Sequence, residues 1–288
     1  MADTAIDTAI DTAIDTAIDT VAVLGAGTMG GGIAAVLLMH GLEVRLYDPS
    51  SEALEKARRR AVKRSDEAVV AERLVLSTAV GEAAAGADYI IEAAPERLEL
   101  KESLFRQLDD AAPAHAVLAT NTSELSVTAL AAVTRRPDKV IGMHWFNPPE
   151  RMKLIEIVRA VQTSDETLRL TEGLSRRCGK ETVVVKDVQG FVTTRALAAL
   201  LGEAMRMLEE GVASAPDIDT AVKLGLNHPM GPLELADYVG LDTMLYISES
   251  MTEALGERFR ATQTLRKLVE AGRLGRKSGR GFYDYEPR

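Results

Sequence analysis

Residues 21–32 read Val21-Ala22-Val23-Leu24-Gly25-Ala26-Gly27-Thr28-Met29-Gly30-Gly31-Gly32, and this stretch decides the fold. A short apolar run passes directly into Gly-x-Gly-x-x-Gly and then into the helix-like TMGGGIAAVLLMHG. Strand, glycine turn and helix in that order open a βαβ unit. Working outward, EVRLYD (43–48) is a second strand and SSEALEKARRRAVKRSDEAV (50–69) a charged helix. ADYIIEAA (87–94), AVLATN (116–121), KVIGMHWF (139–146) and KLIEIV (153–158) follow as strands separated by helical spacers, with TVVV (182–185) after them. Such alternation predicts an α/β, Rossmann-type, doubly wound and mostly parallel sheet. Beyond about Lys186 the strands stop. RALAALLGEAMRMLEEG (195–211), SAPDIDTAVKLG (214–225), GPLELADYVGLDTMLYISESMTEAL (231–255) and ATQTLRKLVEAG (261–272) carry apolar residues three and four apart, the period of helices. The chain therefore divides into a DTAI-repeat tail (1–20), a dinucleotide-binding domain (21–187) and an all-helical domain (188–288). The tail repeats Asp at 3, 7, 11, 15 and 19. It reads as low-complexity sequence without a catalytic role, the alternative being a helix that docks on a neighbour.

The glycines have separate tasks. Gly25 allows the tight turn, Gly27 lets the backbone approach a pyrophosphate, and Gly30 permits close packing of helix on strand. With Thr28 and Met29 between them, they place the helix N-terminus toward an anion. Asp48 ends the second strand, 18 residues past Gly30, where a carboxylate accepts both hydroxyls of a ribose. A 2′-phosphate there would meet Asp48 and Glu52 with no adjacent arginine, so NAD is favoured over NADP.

Composition narrows the classes. The 288 residues are 46% hydrophobic and 27% charged, which excludes disorder over most of the length. A formal net charge of −9 argues against a nucleic-acid partner, since binding phosphate backbones needs a basic face. The uncharged run 20–42 is long enough to span a bilayer, yet glycines occupy its centre and aspartates precede it, so no membrane segment is expected. The single cysteine, Cys178, forms no internal disulfide and fits a reducing, cytoplasmic location. It is read as packed and inert, His40 as a helix C-terminal cap, His115 as exposed and His228 as structural. Four scattered histidines give no metal-ligand spacing, and no metal is expected.

Met143-His144-Trp145-Phe146-Asn147-Pro148-Pro149 puts a histidine at the end of a buried-looking strand, the end at which open α/β sheets bind ligands. Glu156 lies twelve residues on, inside the apolar KLIEIV. A carboxylate in such a strand needs a buried partner. The imidazole is the cheapest one, and a carboxylate on one ring nitrogen makes the other the better proton acceptor.

In the motifs VAVLGAGTMGGGIA (21–34), IEAAPERLELK (91–101), ATNTSEL (119–125), HWFNPPERMKLIEIV (144–158), DVQGFVTTR (187–195), HPMGPLELADYVGLD (228–242) and GRKSGRGFYDY (275–285), the chain resembles the short-chain L-3-hydroxyacyl-CoA dehydrogenases. The 3-hydroxybutyryl-CoA dehydrogenase branch is the most similar, and the resemblance runs from about Val21 to Tyr285. It implies that His144 is the general base, that Glu156 orients it and that Ser123 hydrogen-bonds the substrate oxygen. Asn147 would contact the nicotinamide side and the substrate. Glu96, Lys101, Ser123 and Lys277 would contact the cofactor. The activity implied is reversible NAD-dependent oxidation of a short (S)-3-hydroxyacyl-CoA, with a homodimer formed through the helical domain.

Two features depart from the family pattern. Thr194 stands where most relatives carry an asparagine near the substrate, and its hydroxyl has a shorter reach. The segment between Asp48 and Ala87 looks shorter than the relatives' CoA-contacting helical hairpin. Within it, Ala53–Arg64 carries a net charge of +5, and Arg60 and Arg64 are candidates for the CoA phosphates, the alternative being a solvated helix face. Two rival functions remain open at this point: a dehydrogenase of a non-CoA hydroxy acid or carnitine-like alcohol, and a non-catalytic dinucleotide-binding protein.

Overall fold

The computed structural model describes residues Ile18–Tyr285. Its chain forms two compact units, the first running to Val188 and the second starting at Gln189.

The first unit is an eight-stranded sheet in the order β3-β2-β1-β4-β5-β6-β7-β8. Its strands are β1 (Thr20–Leu24), β2 (Glu43–Tyr47), β3 (Leu74–Ser77), β4 (Tyr89–Glu92), β5 (Val117–Thr120), β6 (Val140–Trp145), β7 (Leu154–Arg159) and β8 (Glu181–Lys186). Neighbours from β3 through β6 pair in parallel, β6 and β7 are antiparallel, and β7 and β8 are parallel again. The central strands β4, β5 and β6 are buried at every residue, which is why they read as continuous apolar runs rather than alternating ones. Strand β3 escaped the sequence reading. It is four residues long, sits at the sheet edge and follows the helix Glu67–Arg73 without a Gly or Pro to mark the change. The other edge carries the opposite surprise: TVVV is apolar, yet in β8 Val183 and Val184 are exposed.

Helices cover both faces, as parallel crossovers require. The first two matter for the site. Helix α1 (Thr28–Met39) is buried along nearly its whole length, and α2 (Ser51–Val62) is amphipathic, burying Leu54, Ala57 and Ala61. Ser50 starts α2 by accepting the Ala53 N–H, a cap worth about 1 kcal/mol. The end of the repeat belongs to the fold. Ile18 is packed in the core, its carbonyl accepts from Arg177, and the Asp19 and Thr20 N–H groups bond to Asp88. The earlier repeats lie outside the described residues.

The second unit is helical: Thr193–Glu209, Ala215–Gly225, Pro232–Val239, Leu241–Leu255 and Gln263–Glu270 pack around Leu201, Leu233, Leu241, Met251 and Leu265. Two buried aspartates organise it. Asp219 accepts the Leu233 and Glu234 N–H groups at the start of Pro232–Val239, and Asp237 accepts those of Phe282 and Tyr283. Among the described residues, no helix is long and apolar enough to cross a membrane.

Candidate active site

In the order 3-2-1-4-5-6 the sequence of strands reverses between the parallel neighbours β1 and β4, and beyond their carboxyl ends lies the crevice where such sheets bind ligands. A cleft of about 550 Å3 opens there, lined by Gly25, Gly27, Thr28, Met29 and Asp48 on one side and by Ala93–Pro95 on the other. A Cβ on Gly30 would stand 1.8 Å from the Gly25 carbonyl oxygen, so the third glycine is required by the turn itself. Gly27 is different. A Cβ there would touch nothing within 4 Å, so no protein packing demands this glycine, and the backbone is open to close approach by a ligand. It is the N-cap of α1, makes no side-chain cap bond, and the first helical turn holds no acid. Its amides are therefore left for an external anion. Asp48 accepts from Ala26 N at 2.8 Å and from Ser50 N at 2.9 Å, which ties the glycine loop to the start of α2. Each carboxylate oxygen retains a second lone pair for a ribose hydroxyl. The residues fit a dinucleotide whose ribose is not phosphorylated.

Three strand ends build the rest. Antiparallel pairing of β6 and β7 sets His144 directly opposite Glu156, so both side chains rise from the same face. The imidazole Nδ1 lies 2.8 Å from Glu156 Oε2, with Glu156 wholly buried and His144 nearly so. The Phe146 ring packs against the imidazole at 4.5 Å between centroids. After β5, Asn121 accepts the Trp145 N–H at 2.9 Å and fixes that turn to the end of the histidine strand. Ser123 follows: its N–H donates to Glu96 at 2.8 Å, and Thr122 donates its hydroxyl to the same oxygen.

Part-exposed Glu96 and buried Lys101 belong to one network. The Lys101 ammonium, 1% exposed, reaches both Glu92 oxygens at 2.8 and 2.9 Å, the Ala94 carbonyl at 3.2 Å and Glu96 at 3.2 Å. Its donors are committed inside the protein, which leaves none for direct contact with a cofactor. Glu92 also accepts from Ala94 N and from Thr120. Sequence reasoning missed Glu92, although the rule that singled out Glu156, an acid in an apolar strand, applies equally to YIIE.

Other residues fall as follows. Asn147 is exposed in the turn after β6, and Arg64 is exposed just past α2. Arg60, expected to hold substrate phosphate, grips Glu150 with two bonds of 2.7 and 2.8 Å, which satisfies both oxygens of that buried side chain. Thr194 is buried at the first turn of its helix and Lys277 pairs with Asp242, both in the second unit. His40 caps α1 by bonding the Val36 carbonyl, His115 is exposed beside Asp88, and burial pushes the Cys178 thiol up to about 12. No group of three or more potential metal ligands occurs among the described residues.

A glycine-looped parallel sheet with a buried His–Glu pair at a strand end on its ligand-binding edge defines a dinucleotide-dependent enzyme. The chain belongs to the 3-hydroxyacyl-CoA dehydrogenase family: residues 20–188 match its NAD binding domain and residues 190–285 its C-terminal domain. A probable 3-hydroxybutyryl-CoA dehydrogenase of Bacillus subtilis is 46% identical over 279 residues, spanning 92% of this chain and 97% of the relative. A 3-hydroxybutyryl-CoA dehydrogenase of Bradyrhizobium diazoefficiens is 39% identical over 92% of this chain and 94% of its own. The crystal structure of the (S)-3-hydroxybutyryl-CoA dehydrogenase from Ralstonia eutropha superposes with a TM-score of 0.90 at 41% identity, covering 94% of this chain and all of that one.

Proposed function

We propose that the protein reversibly oxidises short (S)-3-hydroxyacyl-CoA thioesters, 3-hydroxybutyryl-CoA to acetoacetyl-CoA first among them, with NAD. The observation that carries this reading is the 2.8 Å contact between His144 Nδ1 and Glu156 on the ligand-binding edge of the sheet. Bound NAD supplies the hydride acceptor. With Nδ1 held as a donor to Glu156, Nε2 takes the proton of the 3-hydroxyl, and the carboxylate stabilises the imidazolium that results. A placed base of this kind contributes about 10²–10⁴-fold in rate. In the reverse direction the same Nε2–H returns the proton to the carbonyl oxygen. Ser123, fixed by Glu96 through its backbone N–H, presents its hydroxyl to the substrate oxygen and shares the charge that builds there.

The hydride leaves the carbon while the proton leaves the oxygen attached to it, so cofactor and base must flank this one C–OH group. The glycine loop and Asp48 hold the dinucleotide on one side, and Asn147 follows His144 on the other. Lys56, Arg59 and Lys63 line a second cleft of about 480 Å3 beside the glycine loop. With Arg64, they supply cations for the CoA phosphates. In this reading the helical unit also joins two subunits as a homodimer. An NADH-linked assay across acyl-CoA lengths, with free 3-hydroxybutyrate and NADP as comparisons, tests the reading. Turnover confined to short acyl-CoA with NAD supports it. Equal turnover of the free acid overturns the CoA assignment.

A further inference from the structure

Arg60 stands where three functional elements meet. Its Nε and Nη2 grip the two oxygens of Glu150 at 2.7 and 2.8 Å, and its Nη1 donates to the Thr28 carbonyl at 2.6 Å. Thr28 is the first residue of α1 and lies inside the glycine loop; Glu150 lies in the turn that carries Asn147 away from His144. The Glu150 side chain is 4% exposed and both its oxygens are taken by this guanidinium fork, with its own N–H and the Arg64 charge adding to the stabilisation. The turn is also held from a second direction, because Lys180 donates to the Pro149 and Met152 carbonyls at 2.6 and 2.8 Å.

The glycine string records the same arrangement. A Cβ on Gly32 would lie 2.6 Å from Arg60 Nη2 and 3.0 Å from Pro149 Cδ. The third of three consecutive glycines thus makes room for the arginine and the turn, in addition to the loop's own needs at Gly30.

We propose that Arg60 and Glu150 form a clamp that holds the glycine-rich loop in its dinucleotide-binding shape from behind, as positioning residues for the cofactor rather than ligands of substrate phosphate. Paired charges add little field at the loop. What they add is rigidity, since the bidentate fork fixes the guanidinium and the guanidinium fixes Thr28. Pre-ordering a binding loop raises affinity by removing the cost of ordering it on binding. The inference depends on NAD as the cofactor and not on the acyl-CoA assignment.

A double-mutant cycle on NADH affinity, read directly by NADH fluorescence without substrate, tests it. Arg60→Met and Glu150→Gln are each expected to weaken NADH binding about tenfold, equal to ~1.4 kcal/mol, and the double variant no more than either alone. In steady state the loss falls on KM for NAD rather than on kcat. Arg60→Lys, which keeps the charge but cannot span Glu150 and Thr28 together, recovers only part of the affinity. Should Arg60→Met not fold, Glu150→Gln and Arg60→Lys decide the matter. Unchanged NADH affinity in both overturns the clamp. So does a pattern in which Arg60→Lys or Arg60→Met raises KM for acyl-CoA while Glu150→Gln lowers it, because that marks Arg60 as a phosphate ligand with which Glu150 competes. Loss of the acyl-CoA reading would show differently, as absent turnover in the parent protein with these NADH affinities intact.

Discussion

Glu156 and Glu92 are both carboxylates at zero exposure in apolar strands of one sheet, and they are put to different uses. Glu92 faces an ammonium. Lys101 spends its donors on Glu92, Ala94 and Glu96, and Glu92 accepts further from Ala94 N and Thr120, so the ammonium has no donor left for a reaction. Glu156 faces an imidazole, which has two ring nitrogens at opposite sides of a rigid ring. Fixing Nδ1 at 2.8 Å points Nε2 away from the carboxylate, and in the mechanism proposed above Nε2 is the nitrogen that exchanges protons. A buried acid therefore gives structure when its partner has no second function, and chemistry when the partner can pass a proton on.

Substitutions can break this contrast. The largest effect is expected for His144→Gln, which keeps a hydrogen-bonding side chain but no base: kcat falls by about 10²–10⁴-fold with the melting temperature near that of the parent. Glu156→Gln follows, with a loss on the order of 10²-fold, because the amide neither fixes the tautomer as firmly nor compensates the imidazolium. Glu92→Gln should act on stability instead. Removing the nearer of the two carboxylates that balance the buried Lys101 costs up to about 3–5 kcal/mol, read in denaturant unfolding. Were Glu92→Gln to lose turnover without losing stability, the distinction drawn between the two acids would fail.

A smaller effect concerns pH. Burial raises the Glu150 carboxyl, but the hydrogen bonds and charge of Arg60, with the Glu150 N–H and the Arg64 charge, outweigh it and hold the group below its ordinary 4.5. An acid depressed in the folded state stabilises fully above its unfolded pKa and loses that contribution as pH falls through the folded one. The stability gap between the parent and Glu150→Gln should therefore be constant above pH 5 and close progressively below about 4.5. Cys178 sharpens the comparison at its lower limit. It is a buried titratable group with no counter-charge in hydrogen-bonding contact, and burial lifts it to about 12. It should resist thiol reagents at pH 8 until the protein is unfolded, with no change in activity.

Much of this was legible from residue patterns. The glycine loop, Asp48 and the apolar strands announce a doubly wound sheet because parallel strands buried on both faces must be continuously apolar. The His144–Glu156 pair was legible for an energetic reason, since an acid in KLIEIV has to be satisfied. What escaped was set by tertiary neighbours. Strand β3 is too short and too exposed to show a period, and β8 looks like core but lies at the edge. The basic run of α2 gives no sign that Arg60 turns inward to Glu150, 90 residues away, while Lys63 and Arg64 remain exposed. Charge runs report composition, and only packing decides which member is buried.

The most direct test is a pair of measurements on one variant: NADH affinity and the single-turnover rate of 3-hydroxybutyryl-CoA oxidation in His144→Gln. The expected result is parental NADH affinity with hydride transfer slowed at least about 100-fold. A variant that binds NADH normally and transfers hydride at the parental rate would contradict the assignment of His144 and Glu156 as the proton-transfer pair.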